Sequence, residues 1–130
     1  PAAVMTSYNL INGVHTSESV QLLEVILRRE WGFDGLVMTD WVVDGMTHSD
    51  MKHPRATAAA TIKAGNELFM PGGETDREDL LAALERGSAG RGTGDWTAPE
   101  DGGAALTRGE LEKQAARVIR AAWRLAGSEQ

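Results

Sequence analysis

Three short apolar segments, separated from one another by segments with helical periodicity, constrain the fold of this chain more than any other feature. They are residues 1–8, 36–39 and 67–70. Short, nearly continuous apolar runs are typical of strands that are buried on both faces of a parallel sheet. Strands that alternate with helices predict parallel β-α units. We therefore expect an α/β fold.

Four segments have helical patterning: residues 20–31, 56–63 and 76–87, and a C-terminal stretch that begins near residue 107. Gly32 is expected to end the first helix and Asp76 to cap the third. Thr107 and Glu110 have the spacing of a capping box and predict the start of the last helix. Three strands with their helices correspond to about three-eighths of a (β/α)8 barrel, with a C-terminal helix, or to half of an open doubly wound sheet.

Turn-forming residues predict the connections between these elements. Asn12-Gly13 predicts a turn after the first strand. Residues 40–54 are rich in Asp, His, Gly and Thr and predict a long loop. Residues 88–105 are Gly-rich and predict a loop or insertion that lies outside the core.

Composition excludes several classes of partner. The chain has 13 basic and 19 acidic residues, and this acidic balance argues against binding to nucleic acid or to an anionic membrane. No apolar run is long enough to predict a membrane span. The absence of Cys removes disulfides and thiolate metal sites and leaves the compartment open, cytoplasmic or secreted. No signal peptide is visible after Pro1, which we expect to be a cut end.

The C-terminal ends of the three predicted strands, residues 7–9, 39–41 and 70–72, are where a β/α barrel would carry its active site. Asp40 is the strongest candidate because it directly follows a buried strand. Trp41 beside it offers an apolar wall of the kind on which sugar rings pack. Tyr8 can donate a hydrogen bond to a ligand. Two alternatives stay open here, namely that Asp40 caps a turn and that Tyr8 is a core residue.

Other polar residues give weaker indications. Asp44, His48, Asp50 and His53 follow Asp40, but their spacing is irregular and favours a polar loop over a metal site. Gly72-Gly73 before a helix is a weak signal for phosphate, because no GxGxxG or Walker pattern accompanies it. Glu67 is expected inside the third strand, where it either faces a polar interior or pairs with a base such as Lys63.

Four motifs occur in order along the first two thirds of the chain. They are VMTSYN with ING at residues 4–13, LL with LRREWGFDG at residues 22–35, VMTDW at residues 37–41, and AGNELFMPG at residues 64–72. In order and spacing they resemble glycoside hydrolase family 3, in its β-glucosidase branch. The resemblance covers residues 1 to about 87 closely and the last helix loosely.

The resemblance implies that residues 1–130 are a partial N-terminal domain, the C-terminal portion of a (β/α)8-like barrel. The family's catalytic nucleophile, the Asp of the Ser/Thr-Asp-Trp motif, falls on Asp40. The Tyr of its Ser-Tyr-Asn motif, which lies in the glycone site, falls on Tyr8, and Trp41 would line the same subsite. The implied activity is that of a retaining β-glucosidase acting on terminal β-D-glucosyl residues of small β-glucosides or oligosaccharides. No cofactor or metal is implied.

The chain also departs from the family pattern. The family's acid/base Glu in a second α/β domain has no counterpart here, and the earlier strands that hold the glycone hydroxyls are missing. Glu67 stands where the motif usually has Asp. We therefore expect an inactive fragment whose missing barrel strands and second domain are supplied by the full-length protein. The alternatives are a truncated or degenerate sugar-binding fragment without catalytic activity and an unrelated open-sheet binding domain.

Overall fold

The centre of the molecule is a three-stranded parallel sheet. In the computed structural model, which describes residues 1–43, 56–89 and 104–127, the sheet consists of β1 (Ala3–Met5), β4 (Leu36–Trp41) and β5 (Leu68–Met70). The spatial order is β1-β4-β5, so strands that follow one another with intervening helices are also neighbours in space. The α/β fold with a parallel sheet that the sequence predicts is confirmed.

A short hairpin follows β1. Its strands β2 (Leu10–Ile11) and β3 (Val14–His15) pair in antiparallel fashion. Asn12 and Gly13 connect them with φ values of 53° and 81°, a left-handed conformation that Asn-Gly pairs favour in two-residue hairpin turns. The predicted turn is therefore present. The first strand is shorter than the predicted residues 1–8, and the hairpin itself was not predicted.

The described residues form four helices longer than a single turn: a π-helix (Gln21–Glu30), α1 (Ala58–Ala64), α2 (Glu74–Ser88) and α3 (Arg108–Gly127). A 3-10 helix, Thr16–Glu18, leads from the hairpin into the π-helix. The π-helix ends with the Trp31 N–H donating to the Ile26 carbonyl at 3.0 Å, an i→i+5 bond, and Gly32 follows with φ 67° as its expected terminator. No helix in the described part of the chain is long and apolar enough to cross a membrane.

The helix starts agree only in part with the sequence prediction. The Thr107 N–H donates to Glu110 Oε2 at 2.7 Å and the Glu110 N–H donates to Thr107 Oγ1 at 3.2 Å, which confirms the capping box of α3. The prediction that Asp76 caps α2 is wrong. The helix begins at Glu74 after Gly73, and Asp76 lies in its first turn, where an acidic side chain is favoured by the helix dipole.

The hydrophobic core has two parts. One lies among the helices α1, α2 and the start of α3, and consists of Ala59, Ala60, Ile62, Ala83, Ala104 and Leu106. The other joins the sheet to the π-helix and consists of Leu23, Val37 and Ala64, with Val4, Leu27 and Phe33 packed against it. One face of β1 and β4 therefore packs against the π-helix and the end of α1.

The expectation that residues 88–105 lie outside the core is wrong at both ends. Helix α2 extends to Ser88. Ala104 is 3% exposed and belongs to the helical core, and its carbonyl accepts hydrogen bonds from Arg86 Nε and Nη2 at 3.1 and 2.9 Å. Residues 90–103 lie outside the described residues. So do Asp44, His48, Asp50 and His53 in the predicted loop after Asp40.

Glu67 precedes β5 rather than lying inside it, and its carboxylate is the centre of a buried ionic cluster. Oε1 contacts Arg28 Nη2 at 2.6 Å and Arg117 Nη1 at 3.1 Å, while Oε2 accepts the Val37 N–H at 2.6 Å. Lys63 is not its partner, because that side chain reaches the start of α3 and pairs with Glu110 at 3.5 Å. The cluster joins the π-helix, β4, β5 and α3 at the N-terminal end of the sheet.

Candidate active site

Asp40 and Trp41 form the C-terminal end of β4, which the sequence predicted to stop two residues earlier, at Thr39. Burial alternates along this strand, with Val37 and Thr39 buried and Asp40 half-buried. In the parallel register Met5 lies beside Met38, on the same face as Asp40, and Met5 is 55% exposed. Asp40 therefore lies on the sheet face opposite the one that packs on the π-helix.

Three residues that the sequence singled out meet at this strand end. Asp40 Oδ1 accepts the N–H of Trp41 at 2.8 Å, and the Tyr8 hydroxyl donates to the Trp41 carbonyl at 2.6 Å. Partial loss of solvent contact raises the pKa of the Tyr8 hydroxyl, and the negative charge of Asp40 raises it further. The hydroxyl therefore remains a donor at neutral pH, next to the Asp40 carboxylate. The Trp41 side chain is 53% exposed.

The backbone just beyond Trp41 has an uncommon conformation. Val42 has φ 55°, a region in which a β-branched residue is strained. Its N–H donates to the Met70 carbonyl of β5 at 2.8 Å. The sequence carries no signal for this geometry, because valine is not a residue that predicts a left-handed conformation.

A cleft of about 160 Å³ lies next to this strand end, between the ends of β4 and β5 and the start of α2. The residues that line it are Thr39, Val42, Val43, Phe69, Met70, Pro71, Gly72, Gly73, Thr75 and Asp76. Asp40, Tyr8 and Trp41 are not among them.

A second carboxylate belongs to Glu18, the last residue of the 3-10 helix, whose buried side chain reaches the start of α1. Its Oε1 accepts the Thr57 N–H at 2.7 Å, and burial raises the pKa of Glu18 to about 7. Asp79 occupies the same helix start, where its Oδ2 accepts the Ala59 N–H at 2.8 Å, and its charge adds to the rise. Nothing in the sequence singled out Glu18, which follows a turn and would ordinarily be solvated.

The described residues include no group of three or more His, Asp or Glu side chains arranged to hold a metal ion. Gly72 and Gly73 precede α2 as the sequence suggested, and Gly73 is the residue before its first turn. A phosphate site there stays a prediction.

Fold and site together define an α/β protein with a carboxylate at the end of a parallel strand, held by the backbone N–H of Trp41 and adjoined by the Tyr8 hydroxyl. The family model of the "Glycosyl hydrolase family 3 N terminal domain" matches residues 1–92. The chain thus belongs to glycosyl hydrolase family 3, in its β-glucosidase-like branch.

Individual relatives agree with this assignment. A β-glucosidase of Rhizobium radiobacter is 49% identical over 86 residues, which are 65% of this chain and 9% of the relative. An exo-α-(1->6)-L-arabinopyranosidase of Bifidobacterium longum is 44% identical over 85 residues, 65% of this chain and 10% of the relative. The chain therefore spans about a tenth of the length of these relatives.

Solved structures agree as well. β-Glucosidase 3B from Thermotoga neapolitana in complex with glucose superposes with a TM-score of 0.67 and 27% identity, covering 93% of this chain and 14% of that one. A family 3 β-glucosidase of Bifidobacterium adolescentis superposes with a TM-score of 0.60 and 31% identity, again covering 93% of this chain and 14% of the other.

Proposed function

We propose that Asp40 is the carboxylate nucleophile of a retaining glycosidase that hydrolyses terminal β-D-glucosyl residues, with Tyr8 and Trp41 lining the glycone subsite. The observation that carries this proposal is the contact geometry at the end of β4. One carboxylate oxygen of Asp40 is held by the Trp41 N–H at 2.8 Å, and the tyrosine hydroxyl lies beside the same residue. A nucleophile needs this kind of fixed orientation toward the anomeric carbon.

The reaction takes place in two displacements. An Asp40 carboxylate oxygen attacks the anomeric carbon, the bond from that carbon to the aglycone oxygen breaks, and a separate carboxylic acid protonates the leaving oxygen. Water then attacks the same carbon and gives a proton to that second group, and the bond to Asp40 breaks. The carboxylate is regenerated and the sugar is released with retained configuration.

We propose further that the parallel sheet is part of a (β/α)8 barrel completed by a longer polypeptide, which also supplies the acid/base. The curated relatives are many times longer than this chain, and the Asp40 face of the sheet carries the exposed side chain of Met5. A barrel would enclose that face, because the side chains on the inner face of barrel strands fill its interior. The 130-residue chain by itself should then be inactive.

Replacing the nucleophile tests the proposal. In the complete protein that contains this chain, Asp40→Asn should lower kcat/KM for an aryl β-glucoside by on the order of 10⁴-fold or more, because an amide cannot form the glycosyl ester. Asp34→Asn is the matched control, since Asp34 is an exposed aspartate whose only described role is a surface ion pair with Arg124 at 2.6 Å. Asp40→Asn activity within a few-fold of wild type would contradict the assignment.

A further inference from the structure

The pairing of β4 with β5 shifts at the position of Asp40. Met38 pairs with Leu68, and Trp41 pairs with Met70. Two residues of β4, Thr39 and Asp40, therefore stand opposite one residue of β5. An extra residue of this kind is a β-bulge, which bends the strand and changes the direction of the side chains it carries.

Both backbone groups of Met70 are used to hold this bulge. The Met70 N–H donates to the side-chain Oγ1 of Thr39 at 2.9 Å, and the Met70 carbonyl accepts the Val42 N–H at 2.8 Å. A ladder would ordinarily provide a backbone carbonyl for that N–H. Here the acceptor is the side-chain hydroxyl of Thr39, the residue that directly precedes Asp40.

Thr39 lies at the wall of the cleft, with almost none of its own surface in contact with solvent. The residue is 1% exposed, and its neighbour Val37 on the same sheet face is fully buried. Without the hydroxyl the Met70 N–H, which is partly buried at the wall of the cleft, would lose the acceptor that joins it to β4, and a partly buried backbone donor without a partner is costly. The end of β5 would then be expected to shift until the N–H finds another acceptor, and β4 would move with it.

We propose that Thr39 is a positioning residue for the nucleophile, whose hydroxyl closes the bulge onto Met70 and thereby sets the direction of the Asp40 carboxylate. This inference rests on the proposed function of Asp40. It also assigns a role to the first residue of the Thr-Asp-Trp motif, which contacts neither the Asp40 carboxylate nor Tyr8 through any described hydrogen bond.

The test compares substitutions at residue 39 in the complete protein. Thr39→Val keeps the shape of the side chain and removes the acceptor, and should lower kcat for an aryl β-glucoside by about 10²-fold, the scale expected for a misplaced reacting group. KM should change by a smaller factor than kcat, because attack on the anomeric carbon depends more sharply on the direction of the Asp40 carboxylate than sugar binding does. Thr39→Ser keeps the acceptor and should retain most of the activity. If Thr39→Val does not fold, the activities of Thr39→Ser and Thr39→Ala are compared instead, because these two variants also differ in the presence of the hydroxyl.

A second readout separates positioning from simple loss of stability. The rate at which a fluorinated glycoside traps the glycosyl-enzyme should fall in Thr39→Val by the same factor as kcat, at a temperature where the variant is fully folded. Thr61→Val is the matched control, because Thr61 is a buried threonine on α1 whose hydroxyl has no hydrogen-bond partner among the described residues. The Thr61→Val variant should form the trapped glycosyl-enzyme at the wild-type rate.

The outcomes distinguish this inference from the proposal on which it rests. Wild-type trapping and kcat in Thr39→Val, with Asp40→Asn inactive, would overturn the role of Thr39 alone. An equal loss in Thr39→Ser and Thr39→Val would also overturn it, since the acceptor would then be irrelevant. An active Asp40→Asn variant would instead overturn the proposed function.

Discussion

Asp40 is oriented by neighbours from two parts of the chain. The Trp41 N–H that holds its carboxylate is the next group along the backbone, whereas the Tyr8 hydroxyl arrives from the segment after β1. The residue types could be foreseen because the family motifs carry them. Their contacts depend on the parallel pairing of β1 with β4, which brings the ends of the two strands together.

Glu18 gives a prediction at the scale of a single residue. Its pKa of about 7 in the folded protein lies above the ordinary value of 4.5, so the folded state binds the proton more tightly than the unfolded state does. Stability contributed by this group is therefore present at low pH and is lost as the pH rises from about 4.5 to about 7. The loss is on the order of 3–4 kcal/mol, since the pKa rises from 4.5 to about 7 and a pKa difference of one between the two states corresponds to about 1.4 kcal/mol.

The variant Glu18→Gln should remove this pH dependence. Its amide oxygen can still accept the Thr57 N–H, and it carries no charge near Asp79. Calorimetric Tm values of the wild type and the variant should agree near pH 4.5 and diverge toward pH 8, with the variant more stable at the higher pH. A difference in Tm that does not vary with pH would show that Glu18 does not titrate in this range.

At the scale of secondary structure, the ionic cluster around Glu67 fixes the N-terminal end of β4 and β5. The Glu67 side chain is fully buried, and the two arginines that contact it are 8% and 14% exposed. Burial raises the pKa of Glu67, while the Val37 N–H and the arginines oppose the rise. Removing the Glu67 charge leaves Arg28 buried without an ionic partner, whereas Arg117 keeps its ion pair with Glu24 at 2.8 Å.

We expect Glu67→Gln to cost about 3–5 kcal/mol of stability, the range for breaking a buried ion pair. Glu112→Gln is the matched control, because Glu112 pairs with Arg108 on the surface of α3 at 2.7 Å and both side chains are exposed. The control should lose less than about 0.5 kcal/mol. Denaturant unfolding of the two variants measures the difference, and equal losses would mean that the buried cluster contributes no more than a surface pair.

The elements that local chemistry specifies could be predicted from the sequence, and those that depend on tertiary contacts could not. The capping box of α3, the Asn12-Gly13 turn and the Gly32 terminator are local signals, and all three are present. The bulge at Thr39 and Asp40 has no local signature, because it arises from the relation of β4 to β5. That Glu67 pairs with a base is one of the two predicted alternatives, but its partners Arg28 and Arg117 could not be identified from the sequence, since they lie 39 and 50 residues away.

At the scale of the whole molecule, apolar side chains are exposed on more than one element. Trp31 and Trp123 are 73% and 79% exposed, and Ile119 and Leu125 on α3 are more than half exposed. Within the described residues, β1 and β5 each have only one neighbouring strand in the sheet. Exposed strand edges and apolar surface promote association between copies of a chain.

The isolated 130-residue chain should therefore self-associate and melt with low cooperativity. Sedimentation velocity over a range of concentrations measures the association, and replacing Trp31 and Trp123 by Gln should reduce it. Arg108→Gln is the control, because that side chain is 89% exposed and polar. A monomer with a sharp two-state transition would contradict the expectation that further chain covers these surfaces.

The most direct test of the central claim is to identify the residue that becomes glycosylated. The complete protein is incubated with a fluorinated β-glucoside that accumulates the covalent intermediate, then digested and analysed by mass spectrometry. We predict that the sugar is attached to Asp40, within the sequence VMTDW at residues 37–41. A label on another carboxylate, or hydrolysis that proceeds with no covalent label at any residue, would contradict the assignment of Asp40 as the nucleophile.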